Sequence, residues 1–141
     1  DGVLFSKVRE MHGADYMRQK CVAINGNVSE ADLGLSDYDR ALLTREVEII
    51  YHCAAIIRFD ETLSNIVRTN VRGTKLMLDL ARECRKLQLF MYMSTAYCHL
   101  DQAVLKEDFY PPMYDPHSVI KTIEWLSDDI VNSITKQIIG D

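Results

Sequence analysis

Val47-Glu-Ile-Ile-Tyr-His-Cys-Ala-Ala55, followed by an amphipathic stretch from Glu61 to about Lys86 and then by Leu89-Phe-Met-Tyr-Met93, decides the fold class. Both apolar runs have the β-branched and aromatic content of strands covered on both faces. Between them Leu63, Ile66, Val67, Val71, Met77, Leu78, Ala81 and Cys84 hold one stripe at the helical period. Strand, helix and strand in this succession predict a parallel pair with a helical crossover. Upstream, Lys20-Cys-Val-Ala-Ile-Asn25 is a short apolar run closed by Gly26-Asn27, which predicts a buried strand and a turn. The polar connector Ser29 to Gly34 leads to Ser36, an N-cap for a helix carrying Tyr38, Leu42, Leu43 and Val47. Downstream, Tyr97 to Pro116 is a long connection interrupted by Pro111-Pro112 and Pro116, a length that often carries function. Val119, Ile120, Ile123, Leu126, Ile130, Ile134 and Ile138 predict one last amphipathic helix before Gly140. The order is strand, helix, strand, helix, strand, helix. An α/β fold with a parallel sheet follows, and in such folds ligands sit beyond the carboxyl ends of the strands.

Composition narrows the function. The chain has 141 residues, 48% hydrophobic and 26% charged, with 16 Lys+Arg against 21 Asp+Glu and a formal net charge of -5. That is the balance of a globular domain, and it lacks the basic stripe that a nucleic-acid partner requires. Cys21, Cys53, Cys84 and Cys98 are widely spaced, without a Cys-x-x-Cys pair, and read as reduced, mostly buried small hydrophobes. His12, His52, His99 and His117 are scattered too, so no metal site is expected. The longest nearly uncharged run, Ile49 to Ile57, is far short of the ~20 residues of a membrane helix. Residue 1 is Asp, which suggests processing or an internal piece.

Three places combine polar or small residues with strand ends. Asn70 lies on the apolar stripe of the long helix, and Gly73 follows within a turn. A buried amide costs about 1–3 kcal/mol unless it is satisfied, and Gly in a helix interior costs about 1 kcal/mol relative to Ala. Two broken local rules so close together indicate a site or a close backbone approach; an amide tying the helix to a neighbouring carbonyl is the structural alternative. Ser94-Thr95 closes a strand, where a hydroxyl can donate to a substrate carbonyl, although such residues also stop strands and cap helices. Gly26, Ala54 and Ala55 permit close approach of a ligand, or equally helix-sheet packing. His52 reads as a satisfied core histidine, and Tyr51, Tyr92 and Trp125 as packing residues. Phe109, Tyr110 and Tyr114 among the prolines form either a rigid flap or a covered loop. Tyr16-Met-Arg-Gln-Lys20 spells a Tyr-x-x-x-Lys pattern but precedes the first strand, where it has no catalytic place, and the Asn27-Val28-Ser29 sequon sits at a strand end.

Gly26-Asn27-Val28, His52-Cys53-Ala54-Ala55, Asn70-Val71-Arg72-Gly73-Thr74 and Ser94-Thr95-Ala96-Tyr97-Cys98 occur together in the order and spacing of an extended short-chain dehydrogenase/reductase. Val47 through Leu100, with Arg58-Phe59-Asp60-Glu61, resembles fatty acyl-CoA reductases, particularly the insect type. Phe109-Tyr110-Pro111-Pro112, Asp115-Pro116 and Glu124-Trp125 continue the resemblance over nearly the whole chain.

The resemblance implies that residues 1–141 are an interior fragment of a single NAD(P)-binding Rossmann-like reductase domain, a doubly wound parallel sheet with its first two strands missing. It implies reduction of a long-chain fatty acyl-CoA to a fatty alcohol by NADPH, through an aldehyde. Thr95 then corresponds to the catalytic Ser/Thr that holds the carbonyl oxygen, with Ser94 beside it against the cofactor, and Asn70 to the active-site Asn that maintains the proton relay. Ala54 and Ala55 correspond to the wall beneath the cofactor's ribose and phosphates. Gly26, Asn27 and Val28 correspond to the turn that contacts the adenine, where Asn27 replaces the family's Asp and offers a donor and an acceptor without charge. A location at the cytosolic face of the endoplasmic reticulum or peroxisome is implied, with any anchor outside this chain.

Two family parts are absent: a Gly-x-x-Gly-x-x-Gly phosphate loop, and a Tyr-x-x-x-Lys after the Ser/Thr strand. In the strand order 3-2-1-4-5-6 the strands present are the third, fourth and fifth, so a gap and exposed edges are expected. The fragment alone is expected to be inactive, aggregated or molten, and not to bind NADPH. A nucleotide-sugar or other carbonyl substrate on the same fold, and a truncated non-catalytic product, are the competing readings.

Overall fold

The computed structural model describes residues 3–58, 60–99 and 102–139, with side chains to residue 135. Asp1, Phe59, Leu100, Gly140, Asp141 and the Ile138 side chain lie outside the described residues. In chain order the elements are α1 (Ser6–His12), α2 (Tyr16–Lys20), α3 (Asp37–Glu46), β1 (Ile49–His52), α4 (Leu63–Ile66), a π-helical segment (Val67–Arg72), α5 (Gly73–Glu83), β2 (Leu89–Tyr92), α6 (Pro116–Trp125) and α7 (Asp128–Ile139). Short 3-10 turns cover Ala31–Gly34 and Ala96–Cys98.

β1 and β2 pair in parallel, with Ile49 opposite Leu89 and His52 opposite Tyr92. The crossover is the expected long helix: α4, the π segment and α5 run on without a break. Thr62 caps its start by accepting from the Asn65 N–H at 3.3 Å. Ser36 caps α3 in the same way through the Asp39 N–H at 3.1 Å. Asp115 caps α6 through the N–H groups of His117 and Ser118, with Pro116 at the first helical position.

The long helix serves two cores. Its C-terminal half contributes Leu80 and Cys84, which pack with Leu33 and with Val28, Leu43, Val47 and Ile50 around them. Its N-terminal half contributes Val67, which packs with Ile123 of α6 and Val131 of α7. Ser64 and Arg68 tie α7 down: the Ser64 hydroxyl donates to Asp128 at 2.6 Å, and both terminal nitrogens of Arg68 reach the same carboxylate. The Ser64 hydroxyl first, and the Arg68 guanidinium second, hold the Asp128 carboxyl below its usual range.

Several expectations are corrected. The strand expected over residues 20–25 is not formed: Lys20 ends α2 and residues 21–25 join no ladder, because among the described residues no strand lies alongside them. Val22, expected inside, is 79% exposed. β1 and β2 are covered on one face only. Ile50 and His52 point to the long helix, while Ile49, Tyr51, Leu89 and Met91 stand exposed in register on the other face. Tyr51, expected to be a packing residue, is therefore open to solvent, and so is Trp125 at the end of α6, at 83%; Tyr92 stacks on His52 but stays 45% exposed. Tyr38 is likewise outside the α3 stripe, and of the four cysteines only Cys84 is buried, all four being free thiols.

The single last helix is two, because Leu126 adopts an extended conformation (φ -83, ψ 146) and turns its side chain into the second core. An unbroken stripe would carry Ile130 inward; the break rotates α7 so that Val131 is fully buried and Ile130 faces out. The total accessible surface is 11374 Å² for 16.2 kDa, about one and a half times the roughly 7,500 Å² that mass scaling gives a folded monomer.

Candidate active site

The parallel register sends residues 53–56 and 93–95 off the sheet side by side, and the Met93 N–H still donates to the His52 carbonyl at 3.0 Å. Ala54, Ala55, Ser94 and Thr95 are exposed at this carboxyl edge. Thr95 is extended, and its Oγ1 accepts from the Tyr97 N–H at 3.2 Å, capping the 3-10 turn that follows. An oxygen used as an acceptor keeps its own O–H, which at Thr95 remains available to a ligand's carbonyl.

Asn70 sits inside the π segment. Its side chain donates to the Ile56 carbonyl at 2.9 Å and accepts from the Ile56 N–H at 2.8 Å. The structural alternative raised for this residue is thus realised in a specific form: the amide clamps the chain just after Ala54-Ala55 onto the long helix. No hydrogen bond joins it to Thr95 among the described residues. The Thr74 hydroxyl donates to the Asn70 carbonyl at 2.7 Å and lies 3.0 Å from His52 Nε2. His52 is 3% exposed, as expected of a satisfied core histidine, and burial pushes its pKa below the ordinary value. Its ring stacks on Tyr92.

Gly26, Asn27 and Val28 reach the same helix from the other side. Asn27 closes an Asx turn: its Oδ1 accepts from the N–H and the hydroxyl of Ser29, its Nδ2 donates to Glu30, and its own N–H donates to the Leu33 carbonyl at 2.7 Å. A Cβ at Gly26 would stand 3.1 Å from that Leu33 carbonyl. Asp32, Leu33 and Gly34 are all left-handed, which costs about 1–2 kcal/mol for each non-glycine residue; burial of the Leu33 side chain in the first core offsets part of this.

Val28 lies directly on Gly73, where a Cβ would come 2.9 Å from the Val28 carbonyl oxygen. Close backbone approach is therefore why Gly73 stands in a helix. Gly73→Ala is expected to lower the melting temperature. The clash costs about 1–3 kcal/mol, more than the roughly 1 kcal/mol that alanine returns in helix propensity; an unchanged or raised melting temperature would show the contact to be slack. Arg72, which the motif reading left without a role, donates to the Ser29 carbonyl at 3.2 Å and to Glu124 of α6 at 2.8 Å, joining the turn to the helix beyond the long connection. Its signal was charge on an otherwise half-buried helix face.

The long connection leaves a cleft of about 770 Å³ lined by Val71, Cys98, His99, Tyr110, Met113 and Tyr114. Tyr110 packs its ring on His99, and its hydroxyl accepts from the Lys106 N–H at 2.9 Å. Phe109 and Tyr114 stay exposed, so the covered-loop reading fails for them. Tyr16 and Lys20 fall on α2, outside the sheet edge, with the Lys20 ammonium 5.9 Å above the Tyr16 ring. Among the described residues no group of His, Cys, Asp or Glu side chains is placed to hold a metal ion.

Residues 2–140 match the model of an NAD-binding family described as Male sterility protein. The chain belongs to this family. The male sterility protein domain implies a Rossmann-like α/β fold and a nicotinamide cofactor, in accord with the parallel pair and its helical crossover. The chain is 39% identical to fatty acyl-CoA reductase 1 of Rattus norvegicus and of Homo sapiens over 140 residues, 99% of its own length and 27% of theirs. It is 36% identical to fatty acyl-CoA reductase 2 of Bos taurus over 141 residues, all of its length and again 27% of that protein. It thus spans about a quarter of the length of the curated relatives it matches, and the resemblance drawn from the motifs is borne out.

At Ala54 and Ala55 a ligand crossing the exposed carboxyl edge would meet small side chains, which is compatible with one side of a dinucleotide, whereas the space beside Gly26 is filled by Leu33 and Leu35 of the chain itself. The glycine-rich cradle for the pyrophosphate is not among these 141 residues.

Proposed function

We propose that this chain is the middle part of the reductase domain of an alcohol-forming fatty acyl-CoA reductase that uses NADPH. The observation that carries the reading is 39% identity to fatty acyl-CoA reductase 1 of Rattus norvegicus over 99% of the chain; the position of Ala54, Ala55, Ser94 and Thr95 at one sheet edge supports it. In this reading residues 20–25, β1 and β2 are the third, fourth and fifth strands of a doubly wound sheet; the lack of a ladder along residues 22–25 and the open sheet face support it.

Ala54, Ala55 and Ser94 lie under the cofactor, while Gly26, Asn27 and Val28 hold its adenine end. Because the Asn27 amide is already spent within its own Asx turn, it shapes the turn, and the exposed backbone of the turn does the contacting. Bound there, a reduced nicotinamide cofactor would supply one hydride to the thioester carbon, with CoA leaving as its thiol, and a second molecule of the cofactor would supply one hydride to the aldehyde. Thr95 donates its hydroxyl proton to the carbonyl oxygen and stabilises the charge that develops on it. Asn70 keeps the edge and the helix in register so that a proton can be relayed. The cleft beside Cys98 and Tyr110 offers a mostly apolar wall for the acyl chain.

The substrate is a long-chain acyl-CoA, and no nucleic acid is involved. Contact with the membrane of the endoplasmic reticulum or peroxisome, on its cytosolic face, would come through segments outside these 141 residues; no helix among the described residues is long and apolar enough to cross a membrane. The test is product analysis with the full-length protein, a series of acyl-CoA thioesters, and NADPH or NADH. Fatty alcohol formed with NADPH in preference to NADH is expected, and no alcohol or aldehyde from any acyl-CoA would overturn the proposal.

A further inference from the structure

We propose that Thr74, backed by His52, is a positioning residue for Asn70, an inference that rests on the reductase reading. The π segment sets the problem. The Gly73 N–H reaches back five residues to the Arg68 carbonyl instead of four, and such a turn shifts the carbonyls around it away from their ordinary amide partners. The Thr74 hydroxyl donates to the Asn70 carbonyl at 2.7 Å. A threonine has one hydroxyl proton, so toward His52 Nε2, 3.0 Å away, the same oxygen acts as acceptor. His52 is therefore held as the tautomer that carries its proton on Nε2.

The ring cannot turn aside. It is buried at the end of β1, stacked on Tyr92 and tilted against Phe90 of β2. Asn70 is gripped twice from one stretch of chain: its backbone through Thr74 and His52 at the end of β1, its side chain by Ile56, four residues further on and past the strand. The stretch that carries Ala54 and Ala55 thereby dictates both the direction of the Asn70 carbonyl and the register of the π segment. Loss of the hydroxyl releases the backbone half of this grip while the side-chain half remains.

The test is Thr74→Val, Thr74→Ser and Asn70→Ala in the full-length enzyme, assayed with acyl-CoA and NADPH. Misplacing a group that takes part in the reaction geometry lowers turnover more than binding, so Thr74→Val is expected to reduce kcat about tenfold with KM for NADPH within about twofold. Thr74→Ser, which keeps the hydroxyl, is expected to restore kcat. Thr74→Ala, which removes the hydroxyl without adding bulk, carries the same test should the valine variant not fold. A purely structural Thr74 would lower the melting temperature and leave kcat per folded molecule unchanged; that result overturns the proposal. Should Asn70→Ala lose turnover while Thr74→Val does not, the Thr74 inference fails and the reading of Asn70 stands. Should Asn70→Ala turn over normally, the reading of Asn70 fails and takes this inference with it.

Discussion

Thr95→Ala in the full-length protein is expected, on the proposed acyl-CoA reductase reading, to lower kcat by about 10²–10³-fold, the loss that follows removal of one donor to a developing oxyanion. The geometry separates this effect from instability. Thr95 Oγ1 does one structural job, accepting the Tyr97 N–H at the start of an exposed turn. Water replaces a lost cap there, so the loss of stability should stay near the ~1 kcal/mol of an N-cap deletion. Thr95→Ser keeps both the cap and the donor and is expected to retain most of the turnover. Unchanged kcat in the alanine variant would remove Thr95 from the chemistry.

Asn70→Ala is expected to destabilise the domain more than either Gly73→Ala or Thr95→Ala. It leaves both the N–H and the carbonyl of Ile56 without their partner in a half-buried place, where each lost bond costs about 1–3 kcal/mol and partial hydration brings the pair to roughly 2–4 kcal/mol. Asn70→Asp can recover at most one of the two bonds. Its carboxylate still accepts from the Ile56 N–H but sets an oxygen against the Ile56 carbonyl. Denaturant unfolding with an unchanged slope and a lowered midpoint is the expected signature, accompanied by loss of turnover. A midpoint equal to that of the parent protein would show that Ile56 is held by other means.

Local pattern made the long helix and the two paired strands legible, since period and composition depend on residues close in the chain. The same residues could not reveal the π segment. Leu78, read on the apolar stripe, is 40% exposed and Leu80 is buried in its stead, and the extra residue in the helical register shows itself only in which amide meets which carbonyl, as at Gly73 and Arg68. Residues 20–25 failed as a strand for the opposite reason: their composition is that of a strand, but a strand is made by its neighbour. Tyr51 and Trp125 failed with them, because exposure is decided by what lies across the sheet or beyond the helix and not by hydrophobicity.

The candidate site divides in the same way. Ser94-Thr95, Ala54-Ala55 and Gly26-Asn27 were found from their position after apolar runs, together with the motif order; Arg72, Thr74 and the Ile56 backbone were not, because each acts through a partner between 14 and 52 residues away. By itself the sequence determined the parallel crossover, the family and the residues gathered at the carboxyl edge, since these follow from periodicity and short motifs. Only the tertiary structure decided that the Asn70 amide is committed to Ile56, that Gly73 exists to admit Val28, and that one sheet face stands open. Each of these is a contact between distant segments, and its energy depends on distances of a few tenths of an ångström that no local pattern encodes.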